Sequence, residues 1–438
     1  MSPSVVLVAV LISLAVSVYL GAKYNHNVGL WAMLFAYLIG TFGLGLKTST
    51  LVSYWPLTFT FLIVSLSIFY GYAGKTGVLL LVAQKIIYAN RKSTWIIPLL
   101  LYLICFGLCL AGCSTYAANA LTAPIAFSVC ISAGINPILA VAAIMIPAAV
   151  GSFAPWALGA SLPINYLMGT RWASQAVTFQ WYVWINGFIG ATLSFLVLFV
   201  LLKGWKAKNV EIEKPGSFNK EQKKVIWVIA IVAIIVIIPA FITLITGYNP
   251  KWFSYLDVQF VAIAGSLVFK LMKIGGEKAE KEIITRDVPW NIIVMVTGVT
   301  ILMKVAAEGG AVNLVASAAT NLPPWLIPAA LAALGGFMSF FCGGMSVVTP
   351  MLLPLVEPLF ETVGLSPVWL ITSIALGANM TAVSPVSTGG SIVLGFVPDE
   401  KWREKMFVRQ FYLAIYLLFA MAICAGVGIF NLLHPASF

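Results

Sequence analysis

Small polar residues are concentrated at four places in a chain that is otherwise strongly apolar. The densest group lies in residues 384–391, and smaller groups lie in residues 114–119, 161–165 and 346–349. Their hydroxyl, amide and backbone N–H groups can donate hydrogen bonds to a carboxylate, whereas an organic cation would need an acidic partner that no group contains. Any single Ser or Thr among them has an alternative role as a contact between membrane helices. The candidate substrate-binding residues are Ser114, Thr115, Asn119, Ser161, Asn165, Ser346, Thr349, Ser384, Ser387, Thr388, Gly389, Gly390 and Ser391.

The composition is that of an all-α polytopic membrane protein. Of the 438 residues 61% are hydrophobic and 9% are charged, with a mean hydropathy of +1.01, whereas soluble domains carry about 25% charged residues. The apolar runs are continuous rather than alternating, so they predict transmembrane helices and not the strands of a barrel. The net charge of +11 lies in short loops between these runs, which predicts a lipid bilayer and no nucleic acid as the partner. The six cysteines lie inside apolar segments without metal-ligand spacing, so no cofactor is expected.

The order of the apolar segments predicts two inverted repeats of five spans each. They cover residues 1–205 and 225–438, joined by a cytoplasmic linker at residues 206–224. Each repeat is expected to contain a re-entrant helical hairpin and a helix broken by proline, since proline removes a backbone donor and clashes with the preceding turn. The hairpins are expected at about residues 95–133 and 325–363, with tips near residues 113–115 and 342–346, and the broken helices at about residues 137–170 and 367–397.

Alignment of the two halves supports the duplication. At an ungapped offset of 230 residues, Pro124 falls on Pro354, Gly134 on Gly364, Pro137 on Pro367 and Pro155 on Pro385. In this layout 21 of the 25 Lys and Arg residues lie on one side of the membrane. Because positive loops stay inside, the layout predicts a multi-pass protein of the plasma (inner) membrane with both termini outside.

Inverted repeats with broken helices are the pattern of secondary transporters that work by alternating access. Hairpin tips and helix breaks leave backbone groups unpaired, which lipid cannot satisfy, so such backbone must line a cavity or bind a ligand. The expected spans contain no Lys, Arg, Asp or His at mid-depth. Glu357 and Glu361 lie one helical turn apart near the outer end of the second hairpin, where they are either interfacial carboxylates or groups that handle protons.

Several segments of the sequence resemble parts of a known superfamily. The stretch Ser384-Pro-Val-Ser-Thr-Gly-Gly-Ser-Ile-Val-Leu-Gly395 is similar to the second broken helix of the ion-transporter superfamily, which includes the divalent anion/sodium symporters. Residues 112–126 and the turn at residues 134–137 resemble the first hairpin of the MatC-type malonate and dicarboxylate carriers. The resemblance implies a homodimeric elevator carrier in which a scaffold holds the dimer and the hairpins and broken helices move the substrate.

The resemblance also implies roles for individual residues. In the sodium symporters each hairpin tip carries Ser-Asn-Thr, which corresponds here to residues 114–116 and 344–346, and both asparagines are absent. Thr388 corresponds to a threonine that contacts substrate, and Ala157 and Ser387 correspond to carbonyl donors at the breaks. The coupling ion is left open between Na⁺ and H⁺. The residues that would surround Na⁺ are Gly112, Ser114, Ala157, Gly343, Gly344 and Ser387.

The leading hypothesis is therefore an ion-coupled secondary transporter of a small di- or monocarboxylate such as malonate or succinate, and not an enzyme. The alternative is the large membrane subunit of a tripartite transporter that a soluble binding protein supplies. An intramembrane enzyme would need paired aspartates, a zinc site or a Ser–His or Ser–Lys pair, and the expected spans offer none of these. A passive channel suits the duplicated broken helices less well than gated alternation.

Overall fold

The computed structural model describes residues 1–435 except 25, 91–92, 209–213, 247–251, 253–254, 289, 312–313, 315–316, 318–320, 341–342 and 398–399. The described residues form helices and turns, with no strand among them. Up to the linker, the helices are α1 (Pro3–Tyr24), α2 (Val28–Tyr37, continued by a π-helical turn Leu38–Gly43), α3 (Thr48–Ser53), α4 (Leu57–Thr76), α5 (Val78–Ala89), α6 (Ile97–Leu110), α7 (Thr115–Ser132), α8 (Pro137–Gly151), α9 (Ser161–Met168) and α10 (Ala176–Leu201).

The second half follows the same order. Its helices are α11 (Lys220–Thr246), α12 (Val258–Leu271), α13 (Ala279–Glu282), α14 (Trp290–Glu308), α15 (Leu326–Ser339), α16 (Thr349–Leu352), α17 (Val356–Val363), α18 (Pro367–Met380), α19 (Thr388–Gly395) and α20 (Glu400–Gly426). A π-helical turn, Gly344–Val348, leads into α16, and Cys342, at the expected second hairpin tip, lies outside the described residues. Helix α11 begins at Lys220, within the segment expected as the linker.

Helix starts and turns that lie 230 residues apart have the same local structure. Asn27 caps α2 and Asp257 caps α12, each by accepting a hydrogen bond from the backbone N–H two residues later, at 2.8 Å. Gly134 and Gly364 both have a left-handed φ, +67° and +74°, which glycine adopts without a steric penalty. Local sequence therefore imposes the same boundaries in both halves.

Six helices among the described residues are long and apolar enough to cross a membrane, and the bent pair α4–α5 brings the number to seven. The bend between α4 and α5 is 62° at Gly77, which has a left-handed φ. Five further apolar helices are only 10–17 residues long. These include one arm of each expected hairpin and α8, which is the first part of the expected first broken helix. Part of the difference between these seven helices and the ten expected spans therefore comes from segments that are interrupted. The chain is a polytopic all-helical membrane protein.

The two halves pack through reciprocal helix pairs. Helix α2 packs on α14 and α4 packs on α12, while within the halves α6 packs on α8 and α15 on α18. The α2–α14 contact is very close, because a Cβ added to Gly298 would lie 1.9 Å from the carbonyl oxygen of Gly29. Small residues permit such close approach of membrane helices.

Candidate functional site

The tip of the first expected hairpin is a tight turn between α6 and α7. Gly112 has φ +97°, and a Cβ there would lie 2.6 Å from the ring of Tyr70. Ser114 caps α7 by accepting a hydrogen bond from the N–H of Ala117 at 3.2 Å. Ser114 and Thr115 are half-buried at the positive end of α7, where the first backbone N–H groups have no intrahelical acceptor.

The second tip is held against α18. A Cβ on Gly344 would lie 2.3 Å from the carbonyl oxygen of Ala378, so only glycine fits this contact. The Thr349 hydroxyl donates to the Gly344 carbonyl at 2.9 Å and accepts from the Asn379 amide at 3.2 Å. Thr349 and Ser346 are buried. The Asn379 side chain therefore connects the hairpin to the broken helix.

The first break lies between α8 and α9. The N–H of Ala157 donates to Ala154 at 2.7 Å, and the N–H of Gly159 donates to Ser152 at 2.7 Å. The Ser161 hydroxyl is buried and donates to the Leu158 carbonyl at 2.6 Å. The hydroxyl of Ser161 is thus engaged by its own turn.

The second break, between α18 and α19, has a similar geometry and more hydroxyl groups. Ser384 is buried and donates to the Phe340 carbonyl at 3.0 Å. Ser387 caps α19 by accepting from the N–H of Gly390 at 3.3 Å. Thr388 and Ser391 are exposed, and Ser391 donates to the Thr388 carbonyl at 3.0 Å. The Thr388 hydroxyl has no hydrogen bond to any described residue, so it is available to a ligand.

Each break faces the hairpin tip of the other half. A Cβ on Gly389 would lie 3.7 Å from the Tyr116 ring, and α19 packs on α7. A Cβ on Gly159 would lie 3.1 Å from the terminal methyl carbon of Met345. The structure therefore places Tyr116, at the first tip, next to Gly389, and Met345, at the second tip, next to Gly159.

Asn119 and Asn165 differ from the other candidates because each carries a buried polar atom without a partner among the described residues. These atoms are Oδ1 of Asn119 and Nδ2 of Asn165. Asn165 also lines a cavity of about 450 Å³ between α4, α9, α14 and the second hairpin, together with Thr300 and Lys304. None of the other candidate substrate residues lines this cavity.

Carbonyl oxygens expected near a cation already accept hydrogen bonds within the protein. Those of Ser114, Ala157 and Ser387 each accept one backbone N–H, at 2.9, 3.2 and 3.0 Å, whereas that of Gly343 accepts two, at 2.9 and 3.4 Å. A carbonyl oxygen has two lone pairs, so those of Ser114, Ala157 and Ser387 each retain one, and the cation site stays a prediction.

Glu357 and Glu361 form an ion-pair cluster with Arg171. Arg171 donates to Glu357 at 3.2 Å and also pairs with Glu361, and the backbone N–H of Glu357 donates to the Tyr166 hydroxyl at 3.0 Å. All three charged side chains are partly exposed. The cluster joins the end of the first broken helix to the second hairpin, which fits interfacial carboxylates.

Three functional candidates were missed by sequence reasoning: Asn379, Gln180 and Gln410. Gln180 and Gln410 are separated by 230 residues, the offset that relates the two halves, and this coincidence was a signal in the sequence. Asn379 has an alanine at the equivalent position of the first half, so the repeat gave no indication of it.

Known proteins resemble part of this sequence and share its fold. The family model described as "Dicarboxylate carrier protein MatC N-terminus" matches residues 1–152, which confirms the resemblance over that part of the chain. The structure is similar to the YdaH transporter of Alcanivorax borkumensis, with a TM-score of 0.60 and 17% identity over 98% of each chain. It is also similar to Neisseria gonorrhoeae MtrF, from a class of antimetabolite efflux pumps, with a TM-score of 0.54 and 13% identity over 99% of this chain and 96% of that one. No curated protein matches the sequence.

At these identities the likeness to the two solved structures concerns the fold alone. The chain is a multi-pass membrane protein with a fold that known transporters share, and its N-terminal part is similar to the MatC dicarboxylate carriers.

Proposed function

We propose that this protein is a secondary transporter of small di- or monocarboxylates such as malonate or succinate. The observation that carries the proposal is the meeting of α7 and α19 at their N-terminal ends, at the first hairpin tip and the second break. Two positive helix ends with unpaired N–H groups attract an anion without a dedicated arginine. The free hydroxyl of Thr388 and the half-buried Ser114 and Thr115 would donate to the carboxylate oxygens.

The proposed transport mechanism is alternating access by an elevator movement. Reciprocal pairs such as α2–α14 and α4–α12 support two inverted repeats, because the equivalent of α2 is α12 and the equivalent of α4 is α14. In this proposal those four helices belong to the scaffold of a homodimer, and the hairpins with both broken helices move together. The Arg171 cluster would tie parts of both halves into that moving unit.

The proposed orientation has both termini outside the cytoplasm, in a plasma (inner) membrane. Lys304 belongs to the few basic residues on the side opposite the cytoplasm in this layout. The cavity that Asn165 and Lys304 line would then open toward the outer side. A lysine at the entrance of the cavity would raise the local concentration of carboxylates.

Ion coupling is part of the proposal, with Na⁺ or H⁺ as the candidates. A bound Na⁺ would supply positive charge beside the substrate, and the remaining lone pairs of the Ser114, Ala157 and Ser387 carbonyls would be available to hold it. The family match and the fold are equally compatible with a large membrane subunit of a tripartite system, so the experiment includes that alternative.

The deciding experiment is transport of labelled malonate and succinate in proteoliposomes that contain this protein alone. Inward and outward gradients of Na⁺ and of protons are imposed separately, since one structural relative belongs to a class of efflux pumps. Accumulation or extrusion driven by one gradient supports a self-sufficient secondary transporter. Transport restored only by an added binding protein selects the tripartite alternative, and no movement of either acid under any condition refutes the substrate class.

A further inference from the structure

At each helix break a backbone carbonyl at an equivalent position lacks its helical partner. In an uninterrupted helix the Phe153 carbonyl would accept from the N–H of residue 157, and the Val383 carbonyl from that of residue 387. These N–H groups instead bond one residue further along the chain, to Ala154 at 2.7 Å and to Ser384 at 3.0 Å. The same displacement occurs in both halves and leaves Phe153 and Val383 as the equivalent orphaned acceptors.

A glutamine from the next long helix donates a hydrogen bond to each of these two carbonyls. Gln180 on α10 donates its side-chain N–H to the Phe153 carbonyl at 2.6 Å. Gln410 on α20 donates to the Val383 carbonyl at 2.8 Å and to the Gly390 carbonyl at 2.9 Å. Both the glutamines and the residues to which they donate are 230 positions apart. Gln410 therefore connects the two sides of its break, whereas Gln180 holds one side.

Neither glutamine is a surface residue or a fully satisfied core residue. Both are 0% exposed, and the Oε1 atom of each has no hydrogen-bond partner among the described residues. A buried acceptor without a partner costs free energy, and a methionine of similar length would avoid that cost. The hydrogen bonds to the breaks are thus the contribution that an apolar side chain could not make.

We propose that Gln410, and Gln180 in the first half, are positioning residues that hold the helix breaks in the geometry that binds substrate. The inference rests on the proposed carboxylate site, because Gly390 belongs to the first turn of α19, beside Thr388. In this proposal the Gln410 hydrogen bonds hold the first turn of α19 in place, so that its free N–H groups can bind one anion together. Without them the break opens and the anion meets fewer donors at once.

The first test measures the break itself and requires no substrate. Hydrogen–deuterium exchange of residues 384–390 is compared in wild type, Gln410→Met and Asn186→Leu. Asn186 is a matched control, since it is equally buried and donates to the Phe430 and Leu433 carbonyls, away from both breaks. Exchange about tenfold faster at the break is expected in Gln410→Met only. Unchanged exchange at the break, or equal acceleration in both variants, overturns the proposal.

The second test separates positioning from a merely structural role. Gln410→Met is expected to raise KM for the transported carboxylate about tenfold with Vmax within about twofold, and Gln180→Met, which removes one bond, to raise KM about threefold. Asn186→Leu leaves KM unchanged. If Gln410→Met does not reach the membrane, Gln180→Met tests the same relation in the first half. Wild-type transport with unchanged KM in the variants refutes the inference, whereas absence of wild-type transport refutes the proposed function and leaves the exchange test decisive.

Discussion

Replacement of Thr388 by valine tests the proposed substrate site most directly. The Thr388 side chain is exposed at the first turn of α19, and its hydroxyl bonds to no described residue. The substitution keeps the shape of the side chain and removes the hydroxyl, so the folded protein loses no internal hydrogen bond. We expect the variant to reach the membrane in normal amount and to lose substrate affinity.

The expected magnitude follows from the bond that is lost. A hydrogen bond to a charged group contributes about 1.5–3 kcal/mol, and each 1.4 kcal/mol corresponds to a tenfold change in affinity. Thr388→Val should therefore raise KM about 10- to 150-fold and reduce uptake at low substrate concentration to below about one tenth of wild type.

The assay is uptake of labelled malonate and succinate in proteoliposomes, with two control variants. Thr388→Ser keeps the hydroxyl and is expected to stay within about threefold of wild type. Thr372→Val makes the same chemical change in α18, where the hydroxyl is buried and donates only to the Val368 carbonyl of its own helix, so KM should not change. Normal uptake by Thr388→Val, with correct insertion, would refute the site assignment.

Three further predictions concern the break and two ion pairs. Gly390→Ala places a Cβ 1.9 Å from a backbone oxygen of the break, so size-exclusion chromatography should show loss of the folded protein. Gly395→Ala, whose Cβ would have no described atom within 4 Å, should elute as wild type. Equal behaviour of the two variants would contradict the close packing. Arg171→Ala removes half-exposed ion pairs that contribute below about 1 kcal/mol. The melting temperature should therefore fall by no more than about 4 °C. A fall of ~10 °C would contradict this small contribution to the free energy of unfolding. The hydrogen bond from Lys75 lowers the pKa of the exposed Glu282 carboxylate below its ordinary value of 4.5. The ion pair therefore stabilises the protein above pH 4.5, and this stabilisation is lost as the pH falls through the lowered pKa of Glu282. Between about pH 6 and pH 3 the melting temperature of wild type should fall more than that of Lys75→Met. Equal falls would exclude this pair as the cause.

Much of the architecture could be predicted from the sequence because it follows from local chemistry. The apolar runs required membrane helices, and the prolines and glycines at residues 134, 137, 364 and 367 fixed turns and helix starts at the expected places. Side-chain caps such as Asn27 and Asp257 act within two residues, so their effect is readable in the sequence alone. The number of spans could be predicted less well from the sequence, because the bend at Gly77 and the short broken segments depend on packing.

The sequence by itself determined which residues could serve an anion, and the tertiary structure decided which of them are free to do so. Ser384, Ser387 and Ser161 have the right chemistry, but Ser384 donates its hydroxyl to the Phe340 carbonyl at the end of α15, and Ser387 and Ser161 donate theirs to carbonyls of their own breaks. The Thr388 hydroxyl bonds to no described residue. The partner of Gln180 lies 27 residues away in the chain, and the two partners of Gln410 lie 27 and 20 residues away. Such hydrogen bonds exist only after the helices have packed, so the assignment of a donor to a ligand or to the protein itself is a property of the folded structure.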